Sequence, residues 1–448
     1  MARVAGAGWY NAVWRWHFYA GLLTMPFVLW LTVTGTIYLW KPQIEAMLEH
    51  RFETIEAVGP RESAGRQVEA ALAVVPGGTL AKYQLPQTPH SAARILIRRS
   101  DAKTERVWVN PYTAEVMHHV RDDRRLMPMI ADLHGKLGTG WTGWGSHVVE
   151  IAACWTVTML LTGLYLWWPR GGRSLAGVLW PRIRGGGRRF WRDLHASVGI
   201  WVALLGLFLI ATGLPWSAFW GAYFKEVRTI TGTLDGPQDW ASGSFRKAPA
   251  PDHAVHGHGG ADAPPTIDLA QLERVRATVA PLGIAPPLLI VPPAAAGEPW
   301  RVSSEAADRT RRVDLSVDGS SGAIVSRRDF AQRHWIDRAV GTGIAAHEGA
   351  LFGVVNQLLG TLTALGLATL SLSGFVLWWR RRPEGKLGAP PPVARPRYGP
   401  LLVAAICLLG LLMPLFGATL LLVLLIEATL LRHWPAARRW LGLRRAPA

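Results

Sequence analysis

The 448-residue chain has little of what a soluble or secreted enzyme relies on. It has two cysteines, Cys154 and Cys407, each inside an apolar run, so neither a disulfide nor C-x-x-C-H attachment of a cofactor is available. Charged residues make up only 18% of the chain, and acids are the scarcer kind, with 31 Asp and Glu against 48 Lys and Arg. No G-x-G-x-x-G opens a Rossmann unit, and there is no P-loop, H-E-x-x-H or G-x-S-x-G. Nucleotide-driven transport and standard hydrolysis therefore lack support, and without a flavin or nicotinamide domain any electrons must come from a separate donor.

What is abundant is uncharged apolar sequence. Such runs cover Phe18 to Trp40, Ile151 to Trp168, Ala196 to Tyr223, Gly349 to Trp379 and Pro400 to Ile426. Each reaches or exceeds the ~18 residues that suggest a membrane span. The formal charge of +17 is unevenly placed: segments 1-17, 169-194, 380-399 and 432-448 hold 20 Lys or Arg but only Asp193 and Glu384 as acids. This is the positive-inside pattern and not a nucleic-acid footprint, so it predicts a cytoplasmic amino terminus. The first run is too long for a signal h-region and is followed by Lys41-Pro42, which reads as a retained anchor.

The resulting organisation is a first span ending at 40, an outside module 41-145, a span 146-168, a basic loop 169-194, a span 195-223, a second outside module 224-346 and a span 347-379. A loop 380-399, a hairpin of two short helices over 400-431 and a tail 432-448 follow. The hairpin is expected because Met413-Pro414 breaks the run and a single crossing would strand Arg438, Arg439, Arg444 and Arg445 outside. Six spans result, four of them a core. Trp167-Trp168, Trp378-Trp379 and other tryptophans at span ends read as an aromatic belt in contact with lipid.

The four core spans contain an internal repeat. His17-x-x-x-Gly21 followed by Thr34-Gly35 is matched by His195-x-x-x-Gly199 followed by Thr212-Gly213. The closing spans match as Thr162-Gly163 to Trp168 and Ser373-Gly374 to Trp379. In the outside segments, Val68 to Val75 reads as helix, and Ala93 to Arg98 and Arg106 to Val109 as strands. Asn110 to Ala114 is a turn before Glu115-Val116-Met117. The second copy gives a helix over Leu269 to Val279, a strand over Arg312 to Val317 and a turn over Asp318 to Gly322 before Ala323-Ile324-Val325. Each is a small α+β module, and 246-265 is a Pro/Gly/His linker.

Histidine at or within a span is expensive unless it faces the interior, a partner or a cofactor. His17 and His195 lie at the cytoplasmic end; His134, His147 and His347 lie at the outer end. Two above and two below is the pattern for two six-coordinate, non-covalent b haems, each held by imidazoles from facing helices. Gly21, Gly199 and Gly138, each four residues after a histidine, would let a flat macrocycle approach the backbone. His147 competes with His134 for the outer position; the glycine favours His134. Arg15, Arg189, Arg192 and Lys136 could pair with propionates, or the arginines could simply anchor the inner face. His253, His256 and His258 could capture a metal but read more simply as linker.

Leu133 to Gly138 (LHGKLG), Thr162 to Arg170 (TGLYLWWPR), Arg192 to Gly199 (RDLHASVG), Ala346 to Gly353 (AHEGALFG) and Leu377 to Pro383 (LWWRRRP) together resemble the PepSY-associated transmembrane proteins, also called iron-regulated membrane proteins. The resemblance covers nearly the whole chain. It implies an α-helical inner-membrane protein of bacteria, with a four-helix haem-binding core, two PepSY-like periplasmic modules and both termini cytoplasmic. It implies that His17 and His195 bind one haem b, that His134 and His347 bind the other, and that electrons pass outward to a ferric siderophore or other ferric chelate. The alternative of another class is a haem-free sensor or regulator whose modules bind a periplasmic protein, since such modules are also associated with protease inhibition. A chelate permease ranks last, because Glu427 is the only charge deep in a run.

Overall fold

The computed structural model describes residues 2–140, 143–169, 176–183, 186–235, 267–392 and 399–443. The tract containing His253, His256 and His258 lies outside the described residues. Four long apolar helices, α1 (Ala2–Leu39), α5 (Gly145–Trp167), α6 (Gly187–Gly213) and α10 (Val354–Arg381), pack as a ring in the order α1, α5, α6, α10. The intervening helices are α2 (Lys41–Leu48), α3 (Ala64–Ala73) and α4 (Leu126–Lys136) before α5, then α7 (Ala218–Ile230), α8 (Leu269–Val279) and α9 (Trp335–His347) before α10. Large side chains such as Trp201, Leu204, Leu362 and Leu365 are exposed on the outside of this ring, as a lipid-facing surface requires.

The strands are β1 (Thr79–Gln84), β2 (Ala93–Arg98), β3 (Thr104–Val109), β4 (Val116–Arg121), β5 (Leu288–Val291), β6 (Trp300–Ser304), β7 (Val313–Val317) and β8 (Ile324–Asp329). They do not form two separate modules, as the sequence suggested. They form one antiparallel sheet, β4-β3-β2-β1-β5-β6-β7-β8, closed at the centre by Tyr83 opposite Ile290 and Gln84 opposite Leu289. The order is palindromic because the two repeats meet first strand to first strand. Alternating residues such as Ile95, Ile97, Val107, Ile290, Val302 and Leu315 share one buried core beneath α3 and α8, which touch each other. Neither half could hide its β1 or β5 edge alone, so fusion satisfies both ladders.

Two expected span boundaries also move. The span over 195-223 stops at Gly213, where Leu214–Trp216 forms a tight turn around Pro215 before α7 begins. The first amides of α7 are met from α5: the buried Glu150 carboxylate accepts from Phe219 N and Trp220 N, both at 3.0 Å, and Ser146 accepts from Ala218 N. The span over 347-379 starts only at Val354, because Gly349 and Gly353 adopt φ +73° and +58° and leave His347 as the last residue of α9.

Among the described residues five helices are long and apolar enough to cross a membrane; the sixth expected crossing, α11 (Pro400–Leu412), is shorter. It turns at Met413 into α12 (Pro414–Ile426), which runs on to Leu431, and Gly417 lies against the Gly410 backbone at the turn. The turn packs beside α5 and α7 through Trp155, Phe416 and the Trp220 Nε1 bond to the Leu412 carbonyl. The last helix, α13 (Pro435–Leu441), returns to α1, where Tyr19 donates to the Leu441 carbonyl and Arg15 to that of Gly442. The hairpin is therefore held at its turn by α5 and α7 and at its far end, through α13, by α1.

Helices α2 and α4 are clamped by charge: Arg125, at the start of α4, donates to Glu45 at 3.1 Å and Glu49 at 2.5 Å, and Arg94 donates to Glu49 at 3.0 Å. Burial alone would raise the Glu49 carboxyl, but Arg125 and Arg94 hold it below its ordinary 4.5. Its contribution is thus complete above about pH 4.5 and is lost as pH falls through the depressed folded value. Protection of the α4 amides, measured relative to the intrinsic exchange rate at each pH, should fall on acidification, and Glu49→Gln should flatten that dependence.

Candidate functional site

Each of the four histidines sits in the same kind of seat, made of a hydroxyl residue and the glycine after it. His17 of α1 rests on Thr162-Gly163 of α5, with Nδ1 3.1 Å from Thr162 Oγ1 and 3.0 Å from the Met159 carbonyl. His195 of α6 rests on Ser373-Gly374 of α10, with Nδ1 3.0 Å from Ser373 Oγ and 3.1 Å from the Leu370 carbonyl. His134 of α4 rests on Thr34-Gly35 of α1, Nδ1 to Thr34 Oγ1 being 2.9 Å. His347 of α9 rests on Thr212-Gly213 of α6, Nδ1 to Thr212 Oγ1 being 3.1 Å.

The glycines are there for contact. A Cβ built on Gly163, Gly374, Gly35 or Gly213 would stand 3.1, 3.4, 3.0 or 3.2 Å from the Cε1 of its histidine. The glycines of the H-x-x-x-G spacing do not touch the histidine rings. A Cβ at Gly21 meets nothing within 4 Å, one at Gly199 meets only Leu370, and Gly138 forms the left-handed exit of α4 at φ +76°.

The seats also set the tautomer. Thr162, Ser373, Thr34 and Thr212 each donate their hydroxyl proton to the carbonyl four residues back, at 2.7, 2.6, 2.8 and 2.7 Å. Their oxygens are left to accept, so each imidazole donates from Nδ1 and keeps its lone pair on Nε2. For His17 and His195 the carbonyl partner allows no other polarity. The crowding of protein around His134 pushes it down to about 4, with the His347 charge acting in the same direction, so the ring is neutral at pH 7. Burial likewise lowers His347, against Glu348 and the Leu209 carbonyl.

Each seat lies within one repeat, but the histidines pair between repeats. His17 and His195 face each other across the ring with centroids 6.2 Å apart and planes at 79°. His134 and His347 are the other pair, close enough for the charge of one to act on the other. The levels are about 27 Å apart, since eighteen residues of α1 separate His17 from the glycine beneath His134. His147, the competing outer candidate, is exposed in the first turn of α5 and belongs to neither pair.

The cations expected beside the sites are mostly engaged elsewhere. Arg15 donates to the carbonyls of Pro390 and Gly442, Arg192 pairs with the buried Asp193 at 2.9 Å, Lys136 lies 3.8 Å from Asp132, and Arg189 is exposed. The hydroxyls were present in the repeat as written, yet their role was invisible because it depends on which helices are neighbours.

Among the described residues no group of three or more His, Cys, Asp or Glu is placed to hold a metal ion. Two imidazoles alone suit a metal whose remaining positions a macrocycle fills. At the inner pair the fit can be tested: 6.2 Å between centroids accommodates one metal bonded at about 2 Å to a nitrogen of each ring. The residues present therefore fit a bis-histidine haem.

Fold and site define a polytopic membrane protein built from a duplicated helix–module–helix unit, with a histidine pair at each end of its helical core. The model of the PepSY-associated TM region matches residues 14–381, and the chain belongs to that family. No curated protein matches it significantly.

Proposed function

We propose that this chain is a di-haem b oxidoreductase of the bacterial inner membrane that carries electrons from a cytoplasmic-side donor to a periplasmic ferric chelate, such as a siderophore. The observation that supports this best is the inner pair, His17 facing His195 with both Nδ1 atoms committed to hydroxyl and carbonyl oxygens. Haem bound there and between His134 and His347 would supply reversible one-electron chemistry at both ends of the bundle. The chain's own part is to hold the imidazoles neutral and oriented, to keep the core apolar between the levels, and to present the outer pair beneath the sheet. Reduction of Fe(III) in a hard oxygen chelate weakens its hold, which gives such electron delivery a purpose in iron uptake.

The test is a dithionite-reduced minus oxidised spectrum with pyridine haemochrome quantitation on the purified protein. Two b haems per chain are expected; a folded, membrane-inserted protein without Soret absorbance under haem-replete expression refutes the reading. The hydroxyl seats make a finer prediction. Thr162→Val keeps the shape and removes one of the two acceptors of His17, the Met159 carbonyl remaining, and should weaken haem retention at the inner site by about 10-fold. Haem transfer to apomyoglobin would measure it, with the outer haem as internal reference.

A further inference from the structure

Among the described residues Arg381 is a cation without an anion. It ends α10, and its guanidinium lies over the rings of Trp14 and Phe18, at 4.8 and 5.3 Å from their centroids. One Nη donates to the Gly388 carbonyl at 2.9 Å, while the buried Nε has no hydrogen-bond partner. The neighbouring Arg382, stacked 3.7 Å from the Trp379 ring centroid, reads as interfacial anchoring, whereas Arg381 is turned inward against α1. Arg188 is the charged group that acts on Arg381, so like faces like, and among the described residues no carboxylate pairs with either. The rings favour the cation, yet the half-buried guanidinium keeps one N–H without a partner and its charge unneutralised, which an anion would complete.

Both arginines stand at the inner histidines. Arg188 precedes His195 by seven residues, two turns along the same face of α6 and about 10 Å away. Arg381 follows Gly374, the glycine beneath the His195 ring, by seven residues, and Phe18 follows His17 directly. Two cations from adjacent helices thus flank the end of the bundle where the inner pair sits.

We propose that Arg381 and Arg188 form the anion-recognising end of the inner site and pair with the carboxylates of the porphyrin held between His17 and His195. This rests on the di-haem reading. A phosphate of a lipid head group offers similar charge at this depth, and the test separates the two sources. Wild-type chain, Arg381→Gln, Arg188→Gln and Arg382→Gln are purified and compared for the rate of haem transfer to apomyoglobin and by optical redox titration. Arg381→Gln and Arg188→Gln should each release one of two haems about tenfold faster, leave the other unchanged and alter the titration of one component. Arg382→Gln should behave as wild type. Arg188 is exposed, so its variant carries the test even if Arg381→Gln folds poorly. Unchanged release and titration in both variants of a two-haem protein overturns this proposal alone. Loss of bound phospholipid phosphate with haem release unaffected also overturns it, assigning the cations to lipid. A wild-type chain without haem overturns it together with the reading beneath it.

Discussion

On the di-haem proposal the His17→Ala chain is expected to purify with about one haem in place of two, losing the inner component of its redox titration and keeping the outer one. His17 lies across the ring from His195, 6.2 Å between centroids. Only His195 would then be left to hold the group at that site, so the inner haem should be lost or, where it is retained, lose its low-spin spectrum. His195→Ala should reproduce it, and His347→Ala should spare the inner haem and remove the outer. His147→Ala, at an exposed position, should change neither. Retention of both haems, with unaltered low-spin spectra, in His17→Ala would refute the pairing.

A second large effect is expected away from any ring. Arg228 of α7 and Asp337 of α9 form a bidentate ion pair whose side chains are 1% and 6% exposed, one bond being 2.9 Å. Helix α9 ends in His347, and α7 is itself capped by Glu150 of α5. The pair thereby ties the outer histidine to the bundle. Removing one partner takes a bidentate counter-ion from a buried charge, which costs about 3–5 kcal/mol. Asp337→Ala should therefore lower the unfolding midpoint and loosen the outer haem, with the inner haem less affected. The double change Arg228→Leu with Asp337→Leu should recover much of the loss, since replacing a whole buried pair by apolar residues is often neutral. Thermal unfolding followed at the Soret band would report both. In the first repeat a corresponding join is made with charges exchanged, Glu45 of α2 and the adjoining Glu49 against Arg125, the residue before α4.

Much of this architecture was legible in the chain because the repeat is written in short-range patterns. Apolar run length marks spans, the duplicated His and Thr-Gly spacings mark equivalent helices, and strands such as Ala93–Arg98 and the helix Leu269–Val279 follow from alternation and periodicity. Those signals act between residues a few positions apart, so one sequence suffices to read them. The family followed from the same motifs, and its model covers residues 14–381.

The tertiary structure decided what depends on neighbours distant in sequence. Nothing local says that β1 and β5 pair, because an edge strand chooses its partner by proximity; two modules thus became one sheet. Nothing local says that Thr162 accepts from His17 across 145 positions, or Ser373 from His195 across 178. The sequence alone determined that four histidines stand two and two at the ends of a duplicated bundle. Only the packing of α1 on α5 and α6 on α10 determined which nitrogen each one keeps free, because a tautomer is set by the hydrogen bond on the opposite side of the ring.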